Sequence, residues 1–200
     1  MTITEMKKNA KLHLKGNVGT SLLAKIINGA CHAVCNFIPI VGTILVHGPL
    51  AVGLQRIFCK NSRGAKSNLK DLFLPFKENF GESFLAGLLV NLFTFLWSLL
   101  FVIPGIVKSY SYHMTYYLML QDPALSANEA IDLSRQMMHG NKGKLFLMDL
   151  SMIGWKLLVI ITFGIAAIYV GPYISQAHTE FYNEVYANFY AETVAFEAEA

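Results

Sequence analysis

Charge is scarce in this 200-residue chain. Only 14% of its residues are Asp, Glu, Lys or Arg, where a soluble domain carries about a quarter. With 54% hydrophobic residues, that shortage argues against a domain folded in water. Cysteine is equally thin. Cys31, Cys35 and Cys59 are odd in number and lack framework spacing, which excludes a disulfide-stapled scaffold. Cys31 and Cys35 lie one helical turn apart beside His32; a metal site is conceivable there, but small polarisable side chains between helices are the plainer reading. The sequence also lacks a P-loop, H-E-x-x-H, G-x-S-x-G and a carboxylate pair. Ser67-Asn68-Leu69-Lys70 has S-x-x-K spacing without its companion motifs. No catalytic, cofactor-binding or metal residue is therefore assigned, no cofactor is expected, and the chain is read as a non-enzyme. The start has no convincing cleavage site and is read as a retained signal anchor.

Long uncharged runs are what the chain has in abundance. Ser83 to Val107 is 25 residues without a charge, longer than the roughly 18 that mark a membrane-spanning candidate. Val18 to Leu54 contains only Lys25, and Leu145 to Thr179 only Asp149 and Lys156. Val18–Leu54 is too long for one crossing and is read as two, turning near Asn36-Phe37-Ile38-Pro39, with Gly48-Pro49 kinking or breaking the second. Ser83–Val102 is a third span, Pro104-Gly105 a turn, and Ile106–Leu120 a short fourth rich in tyrosine. Leu145–Phe163 is a fifth. Ile165 to about His178 is a sixth, interrupted at Gly171-Pro172. The fold class expected is all-α: a polytopic transmembrane helical bundle of about six spans (four to six), one integral membrane domain over 1–200.

The remaining charge is distributed asymmetrically. Basic residues cluster before the first span (Lys7, Lys8, Lys11, Lys15), in the 55–81 gap, and at Lys108, Arg135, Lys142 and Lys144. Short Lys/Arg-rich loops stay on the cytoplasmic side of a membrane. Six crossings put those segments, both termini and an acidic tail over 180–200 on that one side. Scattered loop charges beside apolar runs speak against nucleic acid as a partner. Thr4–Lys15 and the stretch after Ser126 read as amphipathic helices lying on the surface. In the second, Ser126 and Glu129 form a capping-box pattern, and Ala130, Leu133, Met137 and Met138 share a face. Such basic helices suit anionic inner-leaflet lipids.

A sparse internal repeat relates 4–60 to 126–185. Gly16-Asn17 recurs as Gly140-Asn141, and Gly48-Pro49 as Gly171-Pro172. Coincidence is the rival reading, since Gly, Asn and Pro are common punctuation. In that register Lys25 corresponds to Asp149. Each lies about 12 Å along a helix, where an unpaired charge needs a partner or a cavity. A Lys25–Asp149 ion pair is the expectation, with Lys108 and Lys156 as rival partners.

Trp97 to Pro123, with its I-P-G-I-V-K-S-Y-S-Y block, then S-A-N-E-A-I-D-L-S-R-Q-M-M-H-G-N and L-F-L-M-D-L-S-M-I-G-W, resembles a bacterial family called domain of unknown function 975. The resemblance extends over nearly the whole chain. It implies an integral membrane protein without assigned activity. Val18 departs from it, since the family usually has an aromatic residue after G-N. The order of these motifs is also faintly similar to the membrane domain attached to some glycerophosphodiester phosphodiesterases, which hints at lipid surroundings rather than hydrolysis. The function expected is a non-enzymatic interaction or envelope-maintenance module, its partner another membrane protein or a second copy. The alternatives are a small transporter or channel subunit using Lys25 and Asp149, and an intramembrane enzyme acting on lipid.

Overall fold

A computed structural model describes residues 2–35, 41–100, 102–162 and 164–199, and these contain helices and no strand. In chain order the helices are α1 (Ile3–Leu14), α2 (Val18–Cys35), α3 (Val41–Ser62), α4 (Pro75–Glu78), α5 (Phe80–Leu100), α6 (Val102–Ser111), α7 (Thr115–Gln121), α8 (Ala127–Met137), α9 (Lys142–Ser151), α10 (Ile153–Ile161) and α11 (Ala167–Glu199). A 3₁₀ turn at Leu69–Leu72 precedes α4. The turn expected at Asn36–Pro39 lies outside the described residues.

Both surface helices form where their periodicity places them. Thr2 and Glu5 close a capping box on α1, whose Met6, Ala10 and Leu14 are buried against α11. Ser126 and Glu129 do the same for α8, which buries Ala127, Ala130, Ile131, Ser134 and Met137. Each helix then turns at a left-handed glycine, Gly16 (φ +93°) and Gly140 (φ +82°), a conformation that costs other residues a steric clash.

Three expected spans take a different shape. Pro104-Gly105 is not the turn: α5 ends at Leu100, α6 begins at Val102, and both residues lie inside α6. Gly105 instead marks where α6 meets α5, since a Cβ there would sit 2.3 Å from Ser98 Oγ. The fourth span is split into α6 and α7. Ser134 of α8 secures the break, accepting from the Met114 N–H (3.2 Å) and donating to the Ser111 carbonyl (2.8 Å). Backbone groups released at a helix end need such partners when buried. The fifth span is likewise two helices, parted at Met152, and α10 buries none of its residues.

The two Gly-Pro pairs do not interrupt their helices; α3 continues through Pro49 and α11 through Pro172. Gly48 serves a close approach, because a Cβ there would lie 1.9 Å from the Ser83 carbonyl oxygen and 3.3 Å from the Gly87 Cα. At Gly171 the corresponding space is open. The acidic segment is helical, since α11 runs to Glu199; nearer its middle the helix buries Ala177, Phe181 and Val185.

The core gathers Met6, Leu14, Phe58, Leu118, Leu145, Tyr173 and Phe181 from α1, α3, α7, α9 and α11, with Met114 and Met138 from the ends of α7 and α8. One helix among the described residues, Phe80–Leu99, is long and apolar enough by length and composition to cross a membrane. Outside the core, large apolar side chains face outward on α5, α6, α9, α10 and the start of α11. Ile103 (75% exposed), Ile165 (74%), Leu99 (73%) and Ile161 (72%) stand out most among the described residues.

Candidate functional site

The breaks between α6 and α7 and between α9 and α10 assemble a polar centre. Asp149, near the end of α9, receives the Tyr110 hydroxyl from α6 at 3.0 Å and the Lys156 ammonium from α10 at 3.0 Å. His178 Nε2 of α11 lies 3.3 Å from the same carboxylate. His178 meets His113 edge to face with ring centres 5.4 Å apart, and His113 Nδ1 is hydrogen-bonded to the Tyr182 hydroxyl. Beside this string lies a cavity of about 250 Å³, lined by Lys25, Gln55, His113, Tyr116, His178 and Tyr182 among others. Tyr116 carries a buried hydroxyl that no protein group satisfies.

Lys25 and Asp149 therefore do not pair. Because α9 ends early, Lys156 returns to Asp149 across the Met152 break. Meanwhile α2 packs on α3 and α11 and points Lys25 elsewhere. Its ammonium lies 5.8 Å from the centre of the Phe58 ring, within reach of a cation–π contact, and faces the cavity. His178 lines the cavity that Lys25 faces and also contacts Asp149. Lys156, the rival partner, holds the carboxylate.

The other sequence-predicted residues scatter. Asn17 donates to the Ala65 carbonyl (3.1 Å) and Asn141 to the Met137 carbonyl (2.9 Å), so the two G-N corners share backbone shape but not contacts. Gly48, Pro49 and Pro172 are buried within their helices, whereas the space beside Gly171 is open. Lys108 stands over the Trp97 ring at 4.7 Å and lines a separate, basic cavity. Among the described residues no group of three His, Cys, Asp or Glu side chains could hold a metal ion.

Sequence reasoning passed over a second polar knot. Glu180, 5% exposed, accepts from Ser62 Oγ (2.8 Å) and Gln176 Nε2 (3.0 Å), with His13 Nδ1 at 2.7 Å. It ties α1, α3 and α11 together. The available signal was the polar run Ser175-Gln176-Ala177-His178-Thr179-Glu180, which is out of place in an apolar span.

Residues 99–188 match the model of the family described as Protein of unknown function (DUF975). The matched segment is narrower than the resemblance read from the sequence. It holds Tyr110, His113, Asp149, Lys156, His178 and Tyr182 but leaves Lys25 and Gln55 outside. No curated protein and no solved structure matches the chain.

Proposed function

We propose that this chain is a multi-pass integral protein of the bacterial plasma membrane, with both termini cytoplasmic. It serves there as a non-enzymatic module that holds another membrane protein, or a second copy of itself, in the envelope. One observation carries the reading: the outward apolar surface of α5, α6, α9, α10 and early α11. Monomeric soluble proteins seldom expose contiguous apolar patches above a few hundred Å². An α10 with no buried residue has no reason to fold in water. Hydrocarbon supplies the missing burial, and the six crossings keep the basic segments on one side. Split helices are compatible with that medium where neighbouring side chains satisfy the freed backbone, as Ser134 does.

The test is fractionation of the full chain followed by alkaline carbonate washing. Retention in the membrane pellet until detergent is added supports the reading, and release into the supernatant refutes it. Single cysteines placed at Lys8, Lys66 and Gln136 should then all be shielded from an impermeant thiol reagent in intact cells, after replacement of the native cysteines. Labelling of any one breaks the topology.

A second reading, a small transporter, is favoured by the cavity. Tyr182, His113, His178, Asp149 and Lys156 form a succession of proton-exchanging groups from the cavity to an exposed ammonium. Ion or proton flux in proteoliposomes, abolished by Asp149→Asn, would favour transport. Absence of flux together with a stably co-purifying partner would favour the module.

A further inference from the structure

Lys108 at the end of α6, Arg135 on α8 and Lys142 at the start of α9 line one open cavity of about 610 Å³, with His139 beside them. Three cations from three helices converge there. Asp132 is the one carboxylate in the lining, and it is engaged by Arg135 Nη1 at 2.8 Å, which braces the guanidinium. Among the described residues neither Lys108 nor Lys142 is in an ion pair; Lys108 rests on the Trp97 ring. Gathering like charges costs free energy through mutual repulsion, which an occupant of opposite sign removes.

A second concavity adjoins the first. It measures about 280 Å³ and is lined by Ile103, Ile106, Val107, Tyr110 and Phe146, with Lys142 at its edge as well. Its lining surface is wholly apolar. On α6 the residues that line this groove, Ile103, Ile106, Val107 and Tyr110, span about 10 Å of the helix axis, and Lys108, directly after Val107, lines the basic cavity. A cationic cup that opens onto an apolar channel, with Lys142 at their boundary, is complementary to an amphiphile with an anionic head.

We propose that this surface is a binding site for one anionic phospholipid, its headgroup in the Lys108–Arg135–Lys142 cup and an acyl chain in the α6–α9 groove. The site rests on the reading of the chain as an integral membrane protein. Arg135 offers the paired donors that fit phosphate oxygens, and the two lysines act as point charges. Basic pockets between helices at the cytoplasmic surface are suited to such headgroups. The charge of the cup selects a net-negative head over a zwitterionic one, because both share a phosphate but one also carries a compensating cation.

Full-length protein in mild detergent, titrated with dioleoylphosphatidylglycerol and read by native mass spectrometry, tests this. Dioleoylphosphatidylcholine and glycerol 3-phosphate are the comparison ligands. Phosphatidylglycerol should be retained at least about tenfold better than phosphatidylcholine, and glycerol 3-phosphate should not be retained. Neutralising Lys142→Gln should weaken the anionic lipid about fivefold, and the triple change K108Q/R135Q/K142Q about a hundredfold. Phe146→Ser, which leaves every charge in place, should weaken it too. Equal retention of both lipids overturns the site, as does insensitivity to Lys142→Gln and Phe146→Ser. Glycerol 3-phosphate binding as well as the lipid assigns the cup to soluble phosphates and overturns the lipid. Flotation with phosphatidylcholine vesicles separates the two proposals. Protein that floats without preferring the anionic lipid loses only this site, whereas protein that stays in the aqueous layer loses the membrane reading itself.

Discussion

The knot around Glu180 and the flank formed by α10 are built on opposite terms. At Glu180, three helices surrender polar side chains to the interior, and His13, Ser62 and Gln176 supply the partners that make burial tolerable. Along α10, apolar side chains stay outside: Ile160 (71%) and Ile161 are almost as exposed as in an unfolded chain, and no residue is buried. At about 25 cal/mol per Å² of apolar surface, leaving such a flank in water is a standing cost. The difference teaches where this protein keeps its specificity. Polar contacts choose which helices meet, while the apolar flank constrains the medium and little else.

Four substitutions break or sharpen that contrast. Removing the centre of the knot, Glu180→Ala, should have the largest effect, about 4 kcal/mol in a reversible unfolding titration in detergent micelles, because several buried donors lose their acceptor at once. An unchanged unfolding midpoint would show the knot to be incidental. On the flank, Ile160→Lys should cost about 3 kcal/mol of membrane insertion, measured as the inserted fraction in a translocation assay. On a water-facing surface the same change would stay within about 0.5 kcal/mol, so this variant decides what the flank touches. Ser134→Ala tests a polar contact inside the core and should cost about 2 kcal/mol, since the Met114 N–H and the Ser111 carbonyl lose their partner. A loss no larger than that of a surface alanine would mean the break between α6 and α7 is secured otherwise.

The smallest effect belongs to the capping box of α8. Bonds from the Ser126 hydroxyl and backbone N–H hold the Glu129 carboxyl below its ordinary value of 4.5. A lowered value in the folded state stabilises the protein above that ordinary value, and the contribution is lost as pH falls through the lowered one. Glu129→Gln should therefore flatten the acid limb of a pH–stability curve and leave the neutral region nearly unchanged. A variant curve parallel to that of the parent protein would contradict the bond.

Much of the helical layout was legible along the chain. Periodic apolar positions gave α1 and α8 their buried faces, Ser126 and Glu129 announced the start of α8, and the uncharged block announced α5. Helix breaks were harder to read. Nothing in the local pattern of Leu145–Phe163 says that the helix parts at Met152, and the tie that secures the gap after Ser111 comes from Ser134, 23 residues away. Pro104, Pro49 and Pro172 are ordinary turn or kink signals, yet all three lie within continuous helix. Pro104 sits in the first turn of α6, where a missing N–H costs nothing, while at Pro49 and Pro172 tertiary packing outweighed local propensity.

Residue order alone settled that this chain is helical, which faces of its surface helices turn inward, and that its charges are confined to a few segments. These follow from the 3.6-residue period and the cost of burying charge, both of which act locally. Which charges meet was settled only in three dimensions. Asp149 found Lys156 and His178 because a helix ended early and α11 passed alongside, and Lys25 was left facing a cavity because α2 lay against other neighbours. Pairing depends on distance and direction between separate helices, and no spacing within one segment encodes either.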